Sequence, residues 1–202
     1  HESQKPDSSF VAKGNLTNLK SFYDAVVPAM ESLKKEGKIL NWGIGPGQEE
    51  AVCDVVNSKT PPDAVQCGVN LLNSLGAIGY ASIKPNPKMV LEECQKKDIP
   101  ILAIRAVQAG ALTSQMDREP HPSGFDHPDF ADYQKAEPFR DLAKDWGESP
   151  ASIAHRYALS IDKVGSVILG IKNREELIEC LDAEKKGRLD AEQILTLENL
   201  FN

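Results

Sequence analysis

No run in the 202-residue chain approaches the roughly 18 uncharged apolar residues that cross a bilayer, so no transmembrane helix and no membrane partner is expected. Positive charge is short: 23 Lys and Arg stand against 30 Asp and Glu. The resulting net charge of −7 repels phosphate backbones, which argues against general nucleic-acid binding. The four cysteines, Cys53, Cys67, Cys94 and Cys180, have neither CxxC nor zinc-like spacing and read as free thiols of a reducing, cytoplasmic compartment. No basic, apolar leader follows His1, so no secretory signal is expected. His121, Asp126, His127 and Asp129 share one loop but match no tight ligand spacing, and no metal is expected there. Gly43-x-Gly45-x-Gly47 is not G-x-G-x-x-G, which argues against a Rossmann phosphate loop.

What remains has globular proportions, with 41% apolar and 26% charged residues. Leu19, Phe22, Tyr23, Val26, Val27, Met30 and Leu33 recur at three- and four-residue spacing and predict an amphipathic helix. Pro28 kinks it or starts a second segment, and Lys34-Lys35-Glu36-Gly37 ends it. Apolar runs at 39–44, 64–69, 100–104 and 164–169 predict four buried strands. Helices are predicted over 48–57, 87–97, 139–146, 150–159, 174–181 and 191–201. Ser149 with Pro150 opens one of them, and Asp190 caps the last. Residues 115–135, rich in Pro, His and Asp, read as a long substrate-side loop. Strand-helix alternation at this pitch implies right-handed crossovers and a parallel sheet. A doubly wound sheet and a barrel compete, and four strands are too few for a barrel, which usually takes about 250 residues.

Several segments then fall in a telling order. Leu33-Lys34-Lys35-Glu36-Gly37-Lys38-Ile39 with Trp42-Gly43-Ile44 comes first, then 62–72 (PDAVQCGVNLL). Residues 101–105 (ILAIR) with 109–113 (AGALT), Ser149-Pro150-Ala151 with Ala154 and Ala158, and 167–177 (VILGIKNREEL) follow. Together they resemble the aldo-keto reductase family over residues 33–181. The resemblance implies a (β/α)8 TIM barrel of which this chain supplies roughly the C-terminal half, strands five to eight. It further implies a single domain over 1–202, incomplete at its N-terminal side. The activity implied is NADP(H)-dependent reduction of a small aldehyde or ketone, or the reverse alcohol oxidation. The family's tetrad is Tyr, Lys, Asp and His, and the first three come from the half that these residues do not match. Only the His has a counterpart, at His1. The isolated chain is therefore expected to be inactive and to need the missing N-terminal half-barrel or to self-associate through open sheet edges.

The resemblance assigns cofactor contacts residue by residue. Gln66 stands where a carboxamide-binding Gln ends its strand, and a side-chain amide can both donate to and accept from a carboxamide. Gly45-Pro46 replaces the usual Ser-Asn, and Ile104 replaces a stacking aromatic. Arg105 follows, a planar cation able to stack on a ring or pair with phosphate. Gly170, Lys172, Asn173 and Arg174 form the loop suited to a 2′-phosphate, at a helix N-terminus. Glu179 takes an adenine-contacting position, with Cys180 in place of the usual Asn. His155 reads as a helix residue at a packing boundary. The departures at Gly45-Pro46 and Ile104 leave an alternative open, a non-catalytic relative that binds a nucleotide or a partner but has lost the redox site.

Overall fold

The computed structural model describes residues 9–10, 17–81, 85–116, 119 and 126–201; the expectations for His1 and His121 lie outside them. Its centre is a parallel four-stranded sheet, β3 (Gly43–Ile44), β4 (Ala64–Gly68), β5 (Ile101–Ile104) and β6 (Val164–Val167), paired in chain order. A short antiparallel pair, β1 (Ser9–Phe10) with β2 (Thr17–Asn18), precedes it. Every central strand lies beside its predecessor. A doubly wound sheet reverses its strand order at a switch point, and none occurs here, so the progressive order is that of a barrel wall.

The connections are helical. A run of α1 (Leu19–Ser21), one π-helical turn (Phe22–Val26) and α2 (Val27–Lys35) precedes β3. The π turn is the form taken by the expected break at Pro28. Pro28 has no N–H to return to the preceding turn, and the Val27 N–H reaches back five residues to the Phe22 carbonyl. Helix α3 (Glu49–Val56) joins β3 to β4, and α4 (Pro87–Lys96) joins β4 to β5. Between β5 and β6 lie α5 (Pro128–Lys135), α6 (Glu137–Asp145) and α7 (Pro150–Ser160), and α8 (Arg174–Lys186) and α9 (Ala191–Glu198) follow. Helix α5 occupies the end of the segment expected to be loop. Pro128 starts it, and the His127 ring accepts the Asp129 N–H at 3.3 Å. The first central strand is also shorter than the apolar run at 39–44. Leu40 is exposed, and the chain there is held by Asp63, whose carboxylate accepts from the Trp42 N–H and from Lys34.

The sheet is covered on one side. Val65, Ile101 and Ala103 are 0% exposed and pack with Val52, Val55, Val56, Val90 and Cys94 from α3 and α4. On the opposite face, Gln66 pairs across the ladder with Leu102, and Leu102 with Ser166. Leu102 is 37% exposed, and Ser166 and nearby Ile168 are exposed. A register shift between Ile101 and Leu102 carries the bulge that brings Ser166 into this row. Among the described residues, β3 and β6 each have a single sheet neighbour, so both outer edges are open. A second core joins α6, α7 and α9 through Phe139, Ile153 and Leu197. Among the described residues no helix is long and apolar enough to cross a membrane.

Phe139 is fully buried in that second core, and Phe139→Ala should cost about 3–5 kcal/mol. Exposed Leu195→Ala should stay within about 0.5 kcal/mol. Urea titration followed by circular dichroism separates the two, and similar losses would contradict the assignment of that core.

Candidate functional site

Parallel strands direct their C-terminal ends toward one side of a sheet, and barrel sites form there. The loops leaving β5 and β6 enclose a cavity of about 640 Å3 in that region. Four of the expected residues line it: Arg105, Gly170, Lys172 and Glu179. Gln66 does not. It faces a separate crevice of about 10 Å3 beside Pro46, Gly47 and Cys67. Asn173 serves as the N-cap of α8, its Oδ1 accepting the Glu176 N–H at 2.9 Å, and Arg174 is exposed in the first turn.

Arg105 is bound into the protein. Its Nη2 donates to Asp129 Oδ1 at 2.6 Å and to the Leu75 carbonyl at 2.8 Å, and its Nε donates to Gln108 Oε1 at 3.0 Å. Gln108 Nε2 in turn donates to Asp132 at 2.7 Å and to the Ser74 hydroxyl at 3.0 Å. This network fastens the segment after β5 to α5. It supports a strained backbone, with Arg105, Gln108 and Ala109 at φ of 60°, 46° and 52°. Gly76 is required at its edge. Its φ is +51°, and a Cβ there would lie 2.0 Å from Asp129 Oδ1. Arg105 therefore presents its donors to Asp129, Leu75 and Gln108, while part of its side chain borders the cavity.

Two further residues, neither among the expected cofactor contacts, line the cavity. His155 is buried, as a packing residue would be, yet it lines the cavity with its Nε2 3.3 Å from Cys180 Sγ. Burial lowers the His155 pKa below its ordinary 6.5, against an opposing pull from the Glu179 carboxylate. Burial raises the Cys180 thiol, and Glu179 and Glu176 raise it further. The pair thus rests as a neutral imidazole and a protonated thiol. Glu176 is the second. Its carboxylate accepts the Lys172 N–H at 2.9 Å and Asn173 Nδ2 at 3.1 Å. An Asn followed three residues later by Glu carries that signal as a capping pattern, and it was legible. Glu179 accepts the Ser149 hydroxyl, which ties the N-terminus of α7 to α8. No group of three or more His, Cys, Asp or Glu able to hold a metal occurs among the described residues.

The cavity can take a largely organic ligand, with Lys172 set against the carboxylates of Glu176 and Glu179. Lys172 supplies charge, Gly170 supplies space, and Ile168, Leu169 and Ile171 supply apolar wall. Outside the cavity, Gly45 lies beside Gln66, where a Cβ would stand 3.7 Å from Gln66 Oε1.

Asp129→Ala leaves the largely buried Arg105 without its carboxylate and should cost about 3–5 kcal/mol in urea unfolding, against little for exposed Asp145→Ala. His155 yields a pH expectation. Its folded pKa is lowered, so the unfolded chain takes the proton first as pH falls below about 6.5, and stability declines with it. The urea midpoint should drop between about pH 7 and 5, and drop less in His155→Gln. An unchanged slope in the variant would contradict the assignment.

Comparison with known proteins agrees with this architecture. The aldo/keto reductase family profile matches residues 3–201. No curated protein matches the chain. Among solved structures, an aldo-keto reductase of Bacillus halodurans in its apo form superposes with a TM-score of 0.67 at 19% identity, over 88% of this chain and 56% of that one. Its holo form gives 0.67 at 17% identity, over 91% and 58%. An aldo-keto reductase from a Medee basin deep-sea metagenome library gives 0.62 at 18%, over 91% and 56%. The chain thus spans little more than half the length of these structures. A wall of consecutive parallel βα units, with a cavity on its strand-end loops and a profile match over almost every residue, places the chain in the aldo/keto reductase family.

Proposed function

We propose that this chain is the cofactor-holding, C-terminal part of an aldo-keto reductase barrel, one incomplete domain over residues 1–202. It would act from the cytoplasm on a small aldehyde or ketone, or on the corresponding alcohol. The observation that carries the reading is the bare sheet face. Parallel sheets bury both faces, and here Leu102 and Ser166 are exposed beside a half-buried Gln66 while the opposite row is sealed by helices. Such a face suits the inside of a barrel whose remaining strands come from elsewhere.

The cofactor that fits best is NADP(H), which supplies the hydride when bound. Lys172 would pair with its 2′-phosphate, Gly170 would let the backbone approach, and Gln66 would orient the carboxamide. Arg174 and Asn173 border the same loop, and Arg105 with Glu179 would shape the wall on either side. The proton for the carbonyl oxygen needs a phenol of moderated pKa. Tyr23 is pushed up to about 12 by burial and by its hydrogen bond to Asp54, and Tyr157 is pushed up by burial and Glu198. Neither suits that role, and Tyr133 donates to the Ser114 carbonyl and lies outside the cavity lining, so we assign the proton donor to a second half-barrel. That is either the N-terminal half of a longer protein or another copy of this chain. One set of observations favours a non-catalytic reading instead: Gly45-Pro46 offers no side-chain partner to a carboxamide, and the Arg105 donors are already engaged.

The test is a fluorescence titration of the chain with NADPH and NADH, alongside a carbonyl-reduction assay. The chain should bind NADPH without turnover, and Lys172→Ala should weaken NADPH about tenfold, near 1.4 kcal/mol. Turnover should appear once a polypeptide supplying the four preceding strands is added. A monomer that turns over NADPH unaided, or one that binds no dinucleotide, would overturn the proposal.

A further inference from the structure

We infer that Cys180 is a covalent capture site for uncharged α,β-unsaturated carbonyl compounds, with His155 as the base that takes its proton. The two side chains come from adjoining helices, His155 in the middle of α7 and Cys180 in the middle of α8, and both line the cavity. His155 Nε2 lies 3.3 Å from Cys180 Sγ, within reach for a nucleophile and its base. The other ring nitrogen is unused. Nδ1 is buried without a hydrogen-bond partner among the described residues, in a side chain only 8% exposed. A histidine kept for packing normally bonds through both nitrogens, and an orphaned one in a cavity wall marks a ring held for another task.

The chemistry of the pair selects the electrophile. The thiol is protonated at rest and the imidazole is free base, so the Sγ proton passes to Nε2 as sulfur attacks. The Glu179 carboxylate, which pulls against the burial of His155, favours the imidazolium that results. Sγ bonds to the β-carbon, the C=C π pair moves toward the carbonyl as an enolate, and the imidazolium returns its proton to the α-carbon. The S–H and π bonds break and the S–C and C–H bonds form, so neither an oxidant nor a leaving group is required. The surroundings set the charge. Glu176 and Glu179 line the cavity beside the pair, against Lys172 alone, and oppose an anionic reagent. Val107, Leu169 and Ile171 give an uncharged one an apolar wall. Cys53 serves as an internal comparison. It is half-buried like Cys180, but its Sγ donates to the Met89 carbonyl at 3.9 Å, and burial pushes its thiol up to about 11.

Peptide mapping by mass spectrometry of the full chain treated with cyclohexenone or N-ethylmaleimide should place the first adduct on Cys180, about tenfold faster than on Cys53. The Cys180 rate should stay level from about pH 7 to 8.5, because the base and not free thiolate supplies the nucleophile. In His155→Gln, with its fold checked by circular dichroism, the rate should fall about a hundredfold near pH 7 and then climb about tenfold per pH unit. Maleimidobutyrate, which carries a carboxylate, should react with Cys180 about tenfold more slowly than N-ethylmaleimide, with free cysteine setting the intrinsic ratio, and Glu179→Gln should narrow that gap about threefold. Cys53 modified first, a Cys180 rate in the unaltered chain that climbs steadily with pH, a His155→Gln rate that matches it, or equal reaction with the anionic reagent would each overturn the assignment. The choice of thiol and the pH profile are read on the unaltered chain, so they decide the matter even where a buried substitution fails to fold. None of these readouts depends on a bound dinucleotide.

Discussion

Helices seal one face of the parallel sheet and leave the other open, and the rest of the structure follows from that asymmetry. Burying Val65, Ile101 and Ala103 against α3 and α4 supplies the main core. Pleating then turns Gln66, Leu102 and Ser166 to the other side. With the strands in chain order, every connecting loop after a strand emerges on one side, which is why residues from β5, β6 and α8 meet around a single cavity.

The cavity is held by two rigid arrangements of different kinds. On the β5 side, Arg105 and Asp129 form a buried ion pair whose neighbours saturate both partners and sustain left-handed backbone at Arg105, Gln108 and Ala109. Removing one member of such a pair is costly because the other stays buried and charged. On the β6 side the loop is fixed more lightly, by exposed and half-buried hydrogen bonds among Lys172, Asn173 and Glu176.

Much of this was legible in the residues. The four strands, the helix caps at Ser149 and Asp190, and the family resemblance depend on local pattern, and all of them recur in the structure. The π turn before Pro28 was legible as a break but not in kind, because a missing N–H signals disruption without saying how the chain absorbs it. Helix α5 was hidden by the polarity of its segment: Asp129 turns inward to Arg105, twenty-four residues away, and no local periodicity shows such a partner. The pairing of His155 with Cys180 was hidden for the same reason, since it joins two helices twenty-five residues apart. Gln66, expected to end its strand, sits in the middle of β4, and the neighbours that give it a separate crevice come from the loop after β3 and from α3 and α4.

The claim beneath all of this is that the bare face and open edges of the sheet belong to the interior and seams of a larger barrel. Hydrogen exchange at the edge-facing amides of β3 and β6 tests it most directly, in the chain alone and after mixing with a polypeptide that supplies four further strands. The expected result is rapid exchange in the monomer and strong protection in the assembly. Strong protection already present in the monomer, unchanged on mixing, would show that the sheet is complete by itself and would contradict the account.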